Sequence, residues 1–160
     1  MIIFLDTSAW IKSYIEEDGS AEVQNFMSDK SSQNRENKFV ASAVTYAEMI
    51  ATFKRGLKGG RLTEDEYNRI ILDFKNKWDD FYIPEVDHEH IEQSGKYAEK
   101  YALKGCDAFQ LSSAIVSHAN IFVCSDNDLI NAAKDNGFIA WNPINGEFAK
   151  TAEKSVLKEK

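Results

Sequence analysis

Two short apolar segments, each followed by an aspartate and then by a helical pattern, constrain the fold of this chain more than any other feature. Ile2–Leu5 and residues 121–124 are four-residue apolar runs with β-branched side chains, and such short runs are typical of fully buried strands. Asp6 follows the first run directly, and Asp126 follows the second after one serine. Ligands of open α/β sheets bind outside the carboxyl ends of the strands, so both aspartates are candidates for a functional site.

The alternation of strand and helix patterns along the chain predicts its architecture. Residues 39–41 and 138–141 are further apolar runs, and segments with helical spacing separate the runs. This order predicts a three-layer α/β/α fold with a mostly parallel central sheet. Three local details are also predicted: a first helix capped by Ser8, a capping box at residues 63–66, and a short strand at residues 81–84 that its proline closes.

Length and composition indicate one globular domain. The chain has 160 residues, of which 43% are hydrophobic, and we assign residues 1–145 to the domain and residues 146–160 to a C-terminal tail with a frayed helical pattern. The chain has neither an apolar run near the roughly 20 residues that span a bilayer nor a signal-peptide pattern. Its two cysteines do not make a disulfide framework, so we expect a cytoplasmic protein without a membrane segment. The net charge of −7 argues against a passive nucleic-acid coat, but not against an enzyme that holds cations among acids.

Asp6 and Asp126 allow two interpretations. Aspartate is a favoured helix N-cap, so capping alone explains either residue taken singly. They occur, however, at the carboxyl ends of the two most apolar strands, and parallel neighbours would bring both side chains to one edge of the sheet. We therefore treat both as candidate site residues.

Two further acids occur in unusual positions. Glu48 lies opposite the large apolar residues of its helix, and its own face carries small neighbours such as Thr45 and Thr52. An ordinary surface glutamate explains that spacing equally well. Asp107 begins a helix that is apolar or small nearly all round, where an acid is either a cap or a ligand whose charge the helix dipole partly balances.

The combination of these acids points to metal chemistry. Several carboxylates at one edge would repel one another unless a cation were bound or protons were retained. Carboxylate oxygens without His or Cys partners suit hard cations such as Mg²⁺ or Mn²⁺. Cations held in this way activate water and stabilise an in-line displacement at phosphorus.

Four segments, taken in order, resemble the acidic motifs of PIN domains. LDTSAW at residues 5–10 resembles the opening motif, and the Ala-Glu pair at residues 47–48 resembles the second. KGCDAFQLSSA at residues 104–114 resembles the third motif, and CSDNDL at residues 124–129 the fourth. Each motif is weak alone, but four of them in order around an α/β pattern are fairly specific. The order, spacing and size resemble those of the VapC-like toxins of bacterial and archaeal toxin–antitoxin pairs.

The resemblance implies a metal-dependent endoribonuclease that hydrolyses RNA phosphodiester bonds, forms a homodimer and is silenced by a cognate antitoxin. It implies that Mg²⁺ or Mn²⁺ is bound, and catalysis performed, by four acids: Asp6, Glu48, Asp107 and Asp126. Supporting roles would fall to Thr7, Ser8 and Ser125, whereas the extra acid Asp128 is assigned no role. Cys106 occurs where PIN domains commonly have a bulkier residue, and Ser125 occurs where they commonly have threonine. Neither difference removes a metal ligand.

Basic residues supply candidate contacts to the RNA phosphates. They are Lys12 and a group at the end of the Glu48 helix, Lys54, Arg55, Lys58 and Arg61. An ordinary basic helix end, favoured by the helix dipole, explains that group equally well.

Two alternative functions remain open at this level. A phosphohydrolase of the haloacid-dehalogenase type also begins with a strand and an aspartate, but it usually needs a second acid where this chain has Ser8. A non-catalytic binding module with the PIN fold would use the site only to dock a partner. EDTA separates the binding module from the nuclease, since a binding module should be indifferent to it and a nuclease should not.

Overall fold

The structure is a computed structural model that describes residues 1–28 and 37–149. Its strands are β1 (Ile2–Leu5), β2 (Lys38–Val40), β3 (Ile121–Val123) and β4 (Ile139–Trp141). They form one sheet in the order β2-β1-β3-β4, and every pair of neighbours is parallel. The predicted parallel sheet is therefore confirmed. Most of the predicted tail, residues 150–160, lies outside the described residues.

Helices cover both faces of this sheet. They are α1 (Thr7–Trp10), α2 (Ser20–Ser28), α3 (Ala43–Lys58), α4 (Glu64–Trp78), α5 (His88–Tyr101), α6 (Gly105–Val116) and α7 (Asn127–Asp135), with 3₁₀ turns at Ile11–Ser13 and Pro143–Asn145. The three-layer α/β/α fold is thus confirmed. No described helix is long and apolar enough to cross a membrane.

The two faces of the sheet pack against separate apolar clusters because strand side chains alternate in direction. Ile3 and Leu5 pack with Trp10 and the apolar faces of α3 and α4, whereas Phe4 packs with Phe122 and with α6 and α7. The Phe4 and Phe122 rings stack with centroids 5.1 Å apart. Burying a side chain of this size stabilises a fold by roughly 1.5–3 kcal/mol, so β1, which directly precedes Asp6, is firmly anchored on both faces.

The strand order β2-β1-β3-β4 places a topological switch point, where open α/β sheets form their ligand-binding crevice, beside Asp6. From β1 the chain crosses to β2 on one side, while β3 and β4 lie on the other side. Adjacent connections therefore diverge at the carboxyl ends of β1 and β3, which is where open α/β sheets bind ligands. The backbone N–H of Asp6 donates to the carbonyl of Val123 at 3.0 Å, so Asp6 lies directly beside the end of β3.

Of the three predicted local details, the structure confirms one and differs from the other two. Thr63 forms the expected capping box at the start of α4. The N-cap of α1 is Asp6 and not Ser8, because the Asp6 carboxylate accepts the N–H of Ser8 at 2.9 Å and so begins the helix earlier. The strand predicted at residues 81–84 is wrong: Tyr82 forms only an isolated bridge to Val40, while Phe81 turns inward onto the core.

Candidate active site

Asp6 and Asp126 are both helix caps, and capping occupies only one oxygen of each. Oδ2 of Asp6 accepts from the backbone N–H of Ser8 at 2.9 Å and from the Ser8 hydroxyl at 2.5 Å. Oδ1 of Asp126 accepts from the N–H groups of Asp128 and Leu129 at 2.9 and 3.0 Å. Because the second oxygen of each carboxylate takes no part in these bonds, the capping and ligand interpretations are compatible.

Glu48 reaches the same edge from α3 and is held in place by two other segments. Its Oε2 accepts a 2.5 Å hydrogen bond from the Thr7 hydroxyl and a 3.0 Å bond from Nε2 of Gln110. Both donors bind the same oxygen, so these bonds leave Oε1 unused. The surface-glutamate interpretation is wrong, because Glu48 is partly buried and hydrogen-bonded to α1 and α6.

Asp107 lies at the third position of α6, whose N-cap is Lys104. Partial burial raises the pKa of Asp107, the charges of Asp126 and Glu48 raise it further, and the charge of Lys104 lowers it. Asp107 is therefore close enough to Asp126 and Glu48 for their charges to raise its pKa. It is not a cap.

Asp6 shows the electrostatic cost of the arrangement. Burial, and to a smaller extent the charge of Glu48, raise the pKa of Asp6 from 3.8 to about 6, despite the opposing hydrogen bonds from Ser8. Charge interactions thus link Asp6 with Glu48, Glu48 with Asp107, and Asp107 with Asp126. The structure brings all four predicted acids into one electrostatic cluster at the crevice.

The cluster has the donor chemistry of a hard-cation site. Its groups are carboxylates, and carboxylate oxygens are the ligands that Mg²⁺ and Mn²⁺ prefer. In Asp6, Glu48 and Asp126, the hydrogen bonds given above involve only one of the two oxygens. Within residues 1–28 and 37–149, however, no three His, Cys, Asp or Glu side chains are already arranged to hold a metal ion. The donor chemistry of the cluster fits the cation, although the described side chains are not arranged around one.

Ser8 and Ser125 connect the ends of β1 and β3. The Ser8 hydroxyl donates to Asp6 and accepts the backbone N–H of Ser125 at 2.9 Å. The hydroxyl of Ser125 is buried, and it has no hydrogen-bond partner among the residues that the structure describes. Ser8 therefore fixes Asp6 relative to the loop that precedes Asp126.

The two cysteines flank the cluster. Cys124 is fully buried, its sulfur lies 3.6 Å from the Ser8 hydroxyl, and burial followed by the charge of Asp6 raises the pKa of its thiol well above the usual value. Cys106 is exposed at the start of α6, and partial burial together with the charge of Glu48 raises the pKa of that thiol as well. Both thiols are thus kept protonated, so neither competes as a thiolate ligand at neutral pH.

The predicted phosphate contacts differ in their availability. Lys12 is only 3% exposed, and its Nζ lies 3.1 Å from Glu17, so it is a buried cation in an ion pair with Glu17 and not a surface cation. Arg61 is exposed and shares Glu17 at 3.3 Å. Lys54 lies over the ring of Tyr67, and Lys58 is exposed at the end of α3.

Arg55 is the member of the basic group that aligns with the acids. Its Nη2 donates to the Thr52 hydroxyl at 2.7 Å, and that hydroxyl donates to the backbone carbonyl of Glu48 at 2.8 Å. These three residues form one row along the helix, which places Arg55 about 10 Å from Glu48 along its axis.

Gln110 was not predicted as a site residue, although it lies within the third motif. A signal for it is present in the sequence, since Gln110 is a large polar residue in a helix whose other residues, apart from Asp107, are small or apolar, and a buried polar residue needs partners. Those partners include Glu48, Thr7 and Thr45.

The fold and this cluster define a class of protein: a three-layer α/β domain with acids gathered at the carboxyl edge of a parallel sheet. The chain belongs to the PIN domain family, whose profile matches residues 3–135. No protein with curated annotation matches the chain in sequence.

Solved structures share the same fold. PAE2754 from Pyrobaculum aerophilum has a TM-score of 0.65 and 17% identity over 96% of this chain and 99% of that chain. The toxin–antitoxin complex from Klebsiella pneumoniae has a TM-score of 0.57 and 16% identity over 88% of this chain and 97% of that one. VapBC-1 from nontypeable Haemophilus influenzae has a TM-score of 0.60 and 16% identity over 89% of this chain and 98% of that one.

Proposed function

We propose that this PIN domain is a metal-dependent endoribonuclease and the toxin component of a toxin–antitoxin pair. The observation that carries the proposal is the convergence of Asp6, Glu48, Asp107 and Asp126, from separate segments, at the carboxyl edge of β1 and β3. A fold gains no stability from placing carboxylates where burial and mutual repulsion raise the pKa of Asp6 to about 6. Such an arrangement is typical of functional sites, where a bound cation repays the cost.

In this mechanism the four carboxylates would hold Mg²⁺ or Mn²⁺, which when bound supplies an activated water and balances charge at the phosphate. The residues of the chain itself position these groups. Ser8 fixes Asp6, and Thr7 fixes Glu48. The Ser125 hydroxyl, next to Asp126 in the sequence, is buried without a hydrogen-bond partner among the described residues. All of these residues lie within residues 1–145, which we propose as the catalytic unit.

Arg55 is the favoured contact to the RNA backbone. It is exposed, and it lies in line with Glu48 on the surface of α3. Lys54, Lys58 and Arg61 are exposed nearby and would add a diffuse positive field that attracts phosphates. Lys12 is left out of this role because it is buried against Glu17.

The proposed partners are an antitoxin and a second copy of the chain. A protein of the same fold occurs in a toxin–antitoxin complex from Klebsiella pneumoniae, and VapBC-1 from Haemophilus influenzae has that fold as well. An antitoxin segment with apolar anchors and a basic residue would suit the acidic crevice. The homodimer rests on the same resemblance.

One observation favours a second candidate function, a non-catalytic binding module. Asp6, Glu48 and Asp126 are hydrogen-bonded into the fold, and no group of three acids, histidines or cysteines among the described residues is arranged to hold a metal ion. In such a module the cluster would serve only to dock a basic partner segment.

Cleavage of a mixed RNA pool by the purified, partner-free chain separates the two functions. We expect cleavage with Mn²⁺, none with EDTA, and none from Asp6→Asn. The matched control is Asp87→Asn, because Asp87 is also an N-cap aspartate but caps α5, and asparagine caps as well as aspartate. Failure of the folded wild-type chain to cleave with any divalent metal would favour the binding module, and cleavage by Asp6→Asn would mean that the site is misplaced.

A further inference from the structure

Gln110 is a buried polar residue that needs an explanation. It is 1% exposed in the middle of α6, where the other residues apart from Asp107 are small or apolar. Burying a carboxamide is unfavourable unless its donors and acceptor are satisfied. An apolar side chain of similar volume would fill the space at lower cost, so packing alone does not account for a glutamine here.

The carboxamide is surrounded by groups of the acidic site. Its Nε2 lies 2.8 Å from the Thr7 hydroxyl, 3.0 Å from the Thr45 hydroxyl and 3.0 Å from Oε2 of Glu48. Thr45 in turn donates to Oε1 of Gln110 at 3.3 Å, which fixes the orientation of the amide. Gln110 therefore joins α1, α3 and α6 at one point.

The direction of the hydrogen bonds leads to Glu48. The Thr7 hydroxyl has one proton, and it donates that proton to Oε2 of Glu48, so its oxygen accepts from Gln110. The same Glu48 oxygen also receives the amide proton of Gln110. Two donors thus hold one carboxylate oxygen of Glu48, Oε2, and neither of these two bonds uses Oε1.

We propose that Gln110 is a positioning residue that holds Glu48 in the orientation needed to bind a divalent cation. This inference rests on the proposed metal-dependent function and deepens it. Groups that orient metal ligands through hydrogen bonds typically change metal affinity by 10–100-fold when they are removed. A neutral donor suits the task, because it stabilises the Glu48 charge without supplying a competing cation.

Binding of Mn²⁺ to the purified full chain, followed by electron paramagnetic resonance or calorimetry, tests the proposal without reference to RNA cleavage. Gln110→Met keeps the volume and removes the donor, and we expect it to weaken Mn²⁺ binding about 10-fold. Gln110→Glu places a second carboxylate against Glu48, and we expect a larger loss at neutral pH. Ser112→Ala is the matched control, because Ser112 is buried in the same helix and its hydroxyl bonds to the backbone of His90 instead.

A double-mutant cycle separates positioning from general damage to the fold. If Gln110 acts through Glu48, the effect of Gln110→Met on Mn²⁺ binding should disappear in a Glu48→Gln background. If Gln110→Met does not fold, Thr45→Val removes the hydroxyl that orients the amide and should give a smaller loss in the same direction.

The possible outcomes are distinct. If the wild type binds Mn²⁺ and folded Gln110→Met binds it equally well, the positioning role is overturned and the proposed function stands. Where Gln110→Met does not fold, the same conclusion follows from folded Thr45→Val that binds Mn²⁺ as the wild type does. An equal loss in the Glu48→Gln background also overturns it, because the effect would then be structural. A wild-type chain that binds no Mn²⁺ overturns the metal-dependent function, and the positioning role with it.

Discussion

The hydroxyl of Thr7 donates a 2.5 Å hydrogen bond to Oε2 of Glu48, a residue 41 positions further along the chain. Thr7 directly follows Asp6, so one short segment supplies an acid and also orients a second acid on another helix. This relationship makes the geometry of the cluster sensitive to changes that leave all four carboxylates in place.

Thr7→Val should impair RNA cleavage although it removes no acid. Valine keeps the shape of threonine but lacks the hydroxyl, so Oε2 of Glu48 loses the hydrogen bond from Thr7 and keeps the one from Gln110. We expect a loss of about 10-fold or more in the rate at limiting Mn²⁺, measured on a labelled RNA. Thr7→Ser, which keeps the hydroxyl, should retain most of the activity, and equal losses in the two variants would contradict the role of this bond.

Asp6→Asn should stabilise the metal-free protein at alkaline pH. The pKa of Asp6 is about 6 in the folded chain against 3.8 in the reference state, so the folded chain binds the proton more tightly. The contribution of Asp6 to the free energy of unfolding is therefore unchanged below about pH 4, declines as the pH rises through 6, and stays low above it. Asparagine carries no charge and still caps α1.

Thermal unfolding in EDTA measures this difference. At pH 8 we expect the free energy of unfolding of Asp6→Asn to exceed that of the wild type by about 3 kcal/mol, or about 6–12 °C in Tm. The gap should narrow towards pH 4, where Asp6 is protonated in both states. A gap that is constant with pH would mean that charge at Asp6 is not its cause.

Glu17→Ala should destabilise the fold through Lys12. The Lys12 ammonium is buried and pairs with Glu17 at 3.1 Å, so the variant leaves a buried charge without this partner. The side chain of Glu17 is 32% exposed, and water reaching the gap moderates the loss. We expect about 2 kcal/mol from urea unfolding. Glu16→Ala, at an exposed neighbouring position, should change stability by less than about 0.5 kcal/mol.

Gly19→Ala should lower the free energy of unfolding because Gly19 packs directly against the backbone at Pro143. Its φ is +88°, and a Cβ there would lie 2.9 Å from the carbonyl carbon of Pro143. Gly137 has a similar φ of +85° but open space around it, so Gly137→Ala reports the backbone cost alone, about 1–2 kcal/mol. The excess loss in Gly19→Ala, measured by urea unfolding, isolates the contact with Pro143. Equal losses would show that this contact is not tight.

Arg55→Ala should reduce the salt dependence of RNA binding. Each phosphate that a cation neutralises adds about 0.7 to the slope of log affinity against log salt for a single strand. Binding measured in the Asp6→Asn background avoids cleavage, and there we expect the slope to fall by about 0.7 in Arg55→Ala. Arg69→Ala, which removes the same charge from α4, should leave it unchanged, and an equal effect of both variants would indicate a diffuse field.

Much of the fold was predictable because its signals are local. The apolar runs that end before Asp6 and Asp126 identified neighbouring parallel strands, and the capping box at Thr63 marked the start of a helix. The strand predicted at residues 81–84 was wrong because the pattern of a short apolar run does not say whether it pairs along its length. Phe81 packs its ring on Trp10 at 3.8 Å, so core packing decides the conformation there.

The contacts among the site residues were less predictable than the fold. Spacing along one helix cannot show that Thr7 and Gln110 meet at Glu48, because the three residues come from different elements. Nor could it show that Lys12 is buried, because a lysine in a short apolar helix is equally compatible with an exposed position. Contacts between distant segments, and not residue type, decided both points.

The spread of the acids along the chain has a consequence for synthesis. Asp6 emerges from the ribosome first and Asp126 last, and β3 must insert beside β1 before Asp126 reaches the crevice. A nascent chain that stops before β3, or a fragment cut between α3 and α6, carries an incomplete set of carboxylates and no crevice. If the proposed function is correct, the ribosome that makes this protein is not exposed to its nuclease activity until most of the chain has been translated.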